Sequence, residues 1–180
     1  MSARKKIAAI ASGLVLTLGG CSTAMTTKDY AANTPKLDIR DYLNGNLEAS
    51  GILFDYSGKA DLFFTVKMVG SWQGNIGTLK EDFVYSDGRK DQRTWTITFR
   101  DDRTFTATAH DVVGIAKGTQ DGNAVNMNYV LDAKRANGET IRLTMDDWLF
   151  LMDEKTLINR TSMKKYNITV GELVITFKKL

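Results

Sequence analysis

The sequence predicts an all-β chain, an antiparallel up-and-down β-barrel preceded by a short N-terminal helix. Three observations carry this. From about residue 47 onward apolar residues recur with period two, the alternation of a strand with one buried face. Turn-forming residues separate the runs, at Ser57-Gly58, Asp87-Gly88, Asp101-Asp102, Asp121-Gly122-Asn123 and Asn137-Gly138. No long helical pattern competes with them. Evenly spaced antiparallel strands in roughly 135 residues favour closure, because closure removes exposed edges.

Ahead of the barrel, residues 1–20 read as a signal peptide: Arg4-Lys5-Lys6, an apolar run from Ile7 to Leu18, then small residues. The run is about a dozen residues long, short of the ~20 that span a bilayer. Leu18-Gly19-Gly20-Cys21 has the form of a lipobox, which makes Cys21 the lipidated N-terminus of the mature chain. Cys21 is the only cysteine, so no intramolecular disulfide can form, and lipidation accounts for a lone cysteine in an exported chain. One acyl chain anchors weakly at roughly 0.8 kcal/mol per buried CH₂; several together hold permanently. Ser22 rather than Asp follows the cysteine, so the inner-membrane retention signal is missing. The expected location is the outer membrane, with the domain facing the periplasm.

Charge agrees with processing. The chain carries 24 Lys+Arg and 21 Asp+Glu. Three of the basic residues and none of the acidic ones lie in 1–20, leaving 21 against 21. A near-neutral mature chain gives no support to nucleic-acid binding.

Residues 21–36 are expected to form the lipidated cysteine and a flexible polar tether, with a reach of roughly 20 Å. The barrel domain then covers 37–180. In Leu37–Leu43, Ile39, Tyr42 and Leu43 are spaced i, i+3 and i+4, which places them on one face of a helical turn able to cap a barrel end. Eight strand runs are explicit, around 52–56, 62–68, 79–85, 95–99, 105–109, 125–131, 141–151 and 173–177, and the length allows eight to ten strands. Gly70–Gly77 reads as a glycine-rich loop, with Trp72 packing at a barrel end or meeting the membrane. The inward positions of 79–85 and 93–99 are both odd-numbered. Their pairing therefore needs an even index sum and an odd hairpin loop, of three or five residues, at Asp87-Gly88.

Several short islands, in order, resemble a known family. They are Gly77–Phe83 with Asp87-Gly88, Arg93-Thr94-Trp95, Asp111–Gly118, Asp146-Asp147-Trp148, Asn159-Arg160 and Val170-Gly171-Glu172. Together they resemble the bacterial lipoprotein family termed domain of unknown function 3833, over residues 37–180. The resemblance implies a lipocalin/calycin-like barrel and lipid handling. It implies no catalytic residues.

The inward register also carries charge. Glu81, Arg93, Asp111 and Asp147 share faces with apolar neighbours, and unpaired buried charge is costly. They must form a paired network, sit at a wet mouth, or be turned outward by bulges, with Asp146-Asp147 the expected bulge. Phe83, Tyr85, Trp95, Phe99, Phe105, Met127, Tyr129, Met145 and Phe177 would line the interior, opposite the small Ala107 and Ala109. The residues nominated for ligand contact are Glu81, Arg93, Trp95, Asp111, Tyr129, Asp147, Trp148 and Arg160, with an acyl headgroup near Arg93 or Arg160.

Other chemistries find little support. His110 is the only histidine and has no nucleophile context. Metal ligation has no motif, and no cofactor is expected. Adjacent carboxylates on a strand face opposite ways, so the Asp101-Asp102, Asp146-Asp147 and Asp153-Glu154 pairs cannot flank one glycosidic bond. The function expected is binding or shuttling of a hydrophobic ligand, an acyl lipid, at the outer membrane. An enzyme modifying acyl chains and a structural lipoprotein with a filled barrel are the alternatives; whether there is catalysis and what the oligomeric state is stay open.

Overall fold

The computed structural model describes residues 24–180. The signal peptide, the lipobox and Cys21 lie outside the described residues. Ten strands follow one another: β1 (Gly45–Asp55), β2 (Ala60–Gln73), β3 (Ile76–Tyr85), β4 (Lys90–Phe99), β5 (Thr104–Thr108), β6 (Val112–Asp121), β7 (Ala124–Lys134), β8 (Thr140–Leu151), β9 (Thr156–Lys165) and β10 (Ile168–Lys179). Each pairs antiparallel with the next, and β1 pairs with β10 from Leu47↔Lys179 to Asp55↔Gly171, closing the barrel. Two strands, β6 and β9, have no counterpart among the eight explicit runs. Several of their inward residues are small or polar, Gly118 and Gln120 on β6 and Asn159 and Thr161 on β9, so hydrophobic alternation is interrupted there.

The β3–β4 hairpin has the predicted parity. Leu79 pairs with Trp95 and Val84 with Lys90. Tyr85 N donates to Arg89 O at 3.0 Å and Gly88 N donates to Tyr85 O at 3.0 Å. These bonds leave Ser86-Asp87-Gly88 as a three-residue loop. Gly88 adopts φ 87°, the left-handed position that a three-residue hairpin asks of glycine.

Two expectations are corrected. Gly70–Gly77 is not a loop: β2 runs on to Gln73, only Gly74-Asn75 turns, and β3 resumes at Ile76. The glycines serve close packing instead. A Cβ on Gly70 would lie 1.6 Å from the Leu43 carbonyl oxygen, so glycine here admits the helix that closes the barrel. Trp72 packs edge-on against Phe99 at 5.9 Å. Nor is there a bulge at Asp146-Asp147, where pairing is regular on both sides, Asn128↔Asp146, Met127↔Asp147 and Asp147↔Thr161. Register shifts fall at Leu53/Phe54, Val113/Lys117 and Thr169/Gly171.

One end of the barrel is closed by helix α1 (Ile39–Tyr42). Asp38 caps it, accepting from Arg40 N at 2.9 Å, which satisfies an otherwise unpaired N–H. Ile39, Tyr42 and Leu43 are all buried, as their spacing requires. Ile39 N donates to Gln120 Oε1 at 3.2 Å and the Tyr42 hydroxyl donates to Lys155 O at 2.9 Å. These bonds tie the helix to the β6 terminus and to the β8–β9 connection.

Residues 24–36 do not hang free as a tether. A 3-10 turn, Thr27–Tyr30, packs on the outer wall at β6 and β7. Thr27 Oγ1 donates to Asp121 Oδ2 at 2.6 Å, and Leu37 N donates to Gly122 O at 2.7 Å. Tyr30 sits edge-on against Trp148 at 5.9 Å and Phe150 at 5.2 Å. The reason is apolar: even-numbered β8 residues face outward, and this aromatic pair needs cover from water.

Candidate functional site

The closed wall and the α1 floor enclose a cavity of about 280 Å³, near the lower end of small-ligand sites. Ile39 and Leu43 contribute to its lining from the floor, and Leu53, Leu62, Arg89 and Lys134 from the opposite end. Between them the walls are mostly apolar and aromatic. The hollow exists partly because rings lie flat over glycines. An added Cβ on Gly51 would meet the Phe64 ring at 2.2 Å, and one on Gly118 the Phe105 ring at 2.0 Å. Each ring occupies space next to the wall that a facing side chain would otherwise fill. Ala107 and Ala116, both buried, keep the β5–β6 wall thin.

Six of the eight nominated residues converge on this cavity: Glu81, Arg93, Trp95, Asp111, Tyr129 and Asp147. Glu81 and Arg93 are cross-strand partners on β3 and β4. Strand pairing between β4 and β5 stops at Thr96↔Thr108. Beyond that point Arg93 Nε donates to Asp111 Oδ2 at 3.0 Å, so an ion pair holds β4 to the β5–β6 connection where the sheet hydrogen bonds end. The guanidinium lies 5.5 Å from the centres of both the Phe83 and Trp95 rings, within cation–π range. Trp95 meets Tyr129 edge-on at 5.5 Å.

Asp147 is held by a different set. Its Oδ1 accepts from Asn159 Nδ2 and Thr161 Oγ1, and the Tyr129 hydroxyl stands 3.5 Å from Oδ2. Asn159 and Thr161 are buried polar residues outside the set that the sequence nominates. The signal lay in the odd-numbered register of Leu157, Asn159, Thr161 and Met163, legible only once that stretch is seen as a strand.

Burial sets the electrostatics. It pushes the Glu81 carboxyl up to about 7, with Arg93 opposing the shift and Asp111 adding to it. Burial also raises Asp147, against the hydrogen bonds from Thr161 and Asn159. The Tyr129 hydroxyl is driven well above its ordinary value by burial, with Asp147 reinforcing it. Burial works against the charge on Arg93, but the neighbouring carboxyl groups of Glu81 and Asp111 outweigh it and the guanidinium stays firmly protonated.

Trp148 and Arg160 do not join this group. Neighbouring residues on a strand point to opposite faces, and Asp147 and Asn159 take the inward positions. Trp148 is covered from outside by Tyr30, and Arg160 pairs with Glu172 at 2.7 Å on the outer surface. His110 is exposed. Asp101-Asp102 and Asp153-Glu154 lie in the β4–β5 and β8–β9 connections. Among the described residues, the cavity walls hold no serine, cysteine or histidine.

Comparison with known proteins agrees on the architecture. A family model described as "Protein of unknown function (DUF3833)" matches residues 15–179. No curated protein matches the sequence. Among solved structures, the chain is similar to the S-type phycobiliprotein lyase CPES from Guillardia theta, with a TM-score of 0.58 at 5% identity, over 87% of this chain and 98% of that one. It is also similar to Rv2717c from M. tuberculosis, with a TM-score of 0.56 at 15% identity, over 82% of this chain and 99% of the other. At such identities the likeness establishes a shared lipocalin-like barrel fold.

Proposed function

The chain belongs to the DUF3833 family, and from that premise we propose that it is a lipid-anchored barrel that binds or shuttles a small hydrophobic ligand, an acyl lipid, at the outer membrane. The observation that carries this reading is the cavity: about 280 Å³, walled mainly by apolar and aromatic side chains and floored by α1. A filled barrel would have no such space. The anchor rests on the lipobox at Cys21, with the barrel facing the periplasm. In this reading the lipidated cysteine would precede Ala24 by three residues in sequence, which would keep the barrel close to the bilayer.

Native mass spectrometry of the purified full chain tests the binding. A co-purifying or added acyl lipid retained at one per chain is expected, and a chain that holds none under any loading would overturn the reading. Incorporation of labelled palmitate, lost in Cys21→Ser together with membrane fractionation, tests the anchor.

A second reading, acid–base chemistry on acyl chains, is favoured by one observation, a buried Glu81 that titrates at about 7, near the value a general acid or base needs. In this reading Glu81 would move a proton to or from the bound chain. Turnover of an added acyl lipid that disappears in Glu81→Gln would support it.

A further inference from the structure

The polar groups of the cavity are unequally satisfied, and the inequality says what kind of ligand fits. Asp147 has its oxygens occupied by Asn159, Thr161 and Tyr129. Arg93 is committed to Asp111 at 3.0 Å and stands 3.9 Å from Glu81, with the Phe83 and Trp95 ring centres each at 5.5 Å. Two atoms remain without a hydrogen-bond partner although buried, Glu81 Oε2 and Asp111 Oδ1. Glu81 is 8% exposed and lines the cavity. Buried polar atoms in folded proteins are normally satisfied, and an orphan in a cavity marks a place for a partner.

Both orphans are carboxylate oxygens, which in the ionised state only accept. They flank the Arg93 guanidinium, and Asp147 adds a third carboxylate nearby, whereas the other cations of the lining, Arg89 and Lys134, stand at the end opposite the α1 floor. A carboxylate brought to this position would find Arg93 already engaged and meet three groups of its own sign. An incoming hydroxyl, primary amide or ammonium that displaces the side chains covering them would meet two unpartnered acceptors, and an ammonium would also offset the excess negative charge. We infer that the cavity selects ligands whose polar end donates hydrogen bonds to Glu81 and Asp111, and discriminates against a carboxylate placed beside them. An acyl chain would then enter as an amide or as a long-chain alcohol or amine rather than as a free fatty acid. This deepens the binding function proposed above and depends on it. The headgroup place expected at Arg93 from charge alone is reversed by the neighbours that charge attracts.

The test uses three probes of equal chain length, dodecanol, dodecylamine and dodecanoate, titrated into the full chain at about pH 8.5, above the Glu81 value so that this carboxylate is ionised and only accepts. Native mass spectrometry counts the bound probe, and indole fluorescence, which includes Trp95 in the cavity wall, follows occupancy. Dodecanol and dodecylamine should bind at least about tenfold more tightly than dodecanoate, a difference in keeping with charge-assisted hydrogen bonding. In Glu81→Gln, and in Glu81→Gln with Asp111→Asn, the amine-over-carboxylate preference should shrink to about threefold or less. Dodecanoate binding as tightly as the other two would overturn the donor selection while leaving hydrophobic binding intact. Failure of all three probes to bind would overturn the binding function itself. An undiminished preference in a folded Glu81→Gln would overturn the assignment to these oxygens. Glu81→Gln is nearly isosteric and removes a buried charge, so it serves even where the double variant does not fold.

Discussion

Glu81 and Arg93 face each other across adjacent strands, yet the close ion pair of Arg93 is with Asp111, at 3.0 Å against 3.9 Å to Glu81. One guanidinium is thus shared unequally between two carboxylates. The shorter contact bridges the place where β4 and β5 part, and the longer one leaves a buried carboxyl under-compensated.

This imbalance makes stability depend on pH. The folded-state value of Glu81, about 7, lies above the ordinary 4.5, so the folded chain binds more protons than the unfolded chain between the two. The stabilisation is complete below the ordinary value and is lost as pH rises through about 7. Asp147 shifts in the same direction. Arg93, Asp111, Trp95, Tyr129 and Tyr85 surround the site, and the burial-raised Tyr129 stays neutral throughout. Thermal melts from about pH 5 to about pH 8 should show Tm falling. Glu81→Gln should flatten the profile and gain up to roughly 3 kcal/mol at the alkaline end.

Removing the cation should be harsher than removing the anion. Arg93→Met leaves Glu81 and Asp111 buried without a counter-charge and unties the β5–β6 connection. A loss of about 3–5 kcal/mol is expected in urea unfolding. Adding Glu81→Gln to Arg93→Met should restore part of it, because the two residues share one network.

The floor of the cavity depends on an absent side chain. Gly70→Ala places a Cβ 1.6 Å from the Leu43 carbonyl oxygen, so α1 must move away. A loss of roughly 1–3 kcal/mol is expected, with faster amide exchange at Tyr42 and Leu43. Unchanged exchange would count against the close approach of helix and strand.

Outside the barrel, Tyr30 holds residues 24–36 against β8. Tyr30→Ala should cost roughly 1–3 kcal/mol, expose Trp148 to water and open the segment to protease. The red shift of indole emission and the cleavage pattern should change together.

Much of the fold was legible because it rests on local chemistry. Period-two alternation marks β2, β3, β4 and β7 directly, and the odd-numbered inward positions on both sides of Asp87-Gly88 demand an odd loop, met by Ser86-Asp87-Gly88. Ile39, Tyr42 and Leu43 announced one buried face. Less legible were β6 and β9, whose inward positions carry Gly118, Gln120, Asn159 and Thr161 in place of large apolar residues. The Gly70–Gly77 segment misled for a related reason. Glycine in a strand reads as a break when the backbone or ring that packs against it comes from elsewhere in the chain.

By itself, the sequence determined the strand alternation, the turn positions, the inward register of Glu81, Arg93 and Asp147, and the lipobox expectation at Cys21. All of these depend on residue identity and short spacing. Only the tertiary structure decided that Asp111, 18 residues from Arg93, is the partner of its guanidinium. It also placed Trp148 and Arg160 outside the cavity, and folded residues 24–36 onto the wall that Trp148 and Phe150 present. Closure of ten strands sets which side chains meet across the lumen and which polar atoms are left unpartnered there, and neither follows from neighbours in sequence.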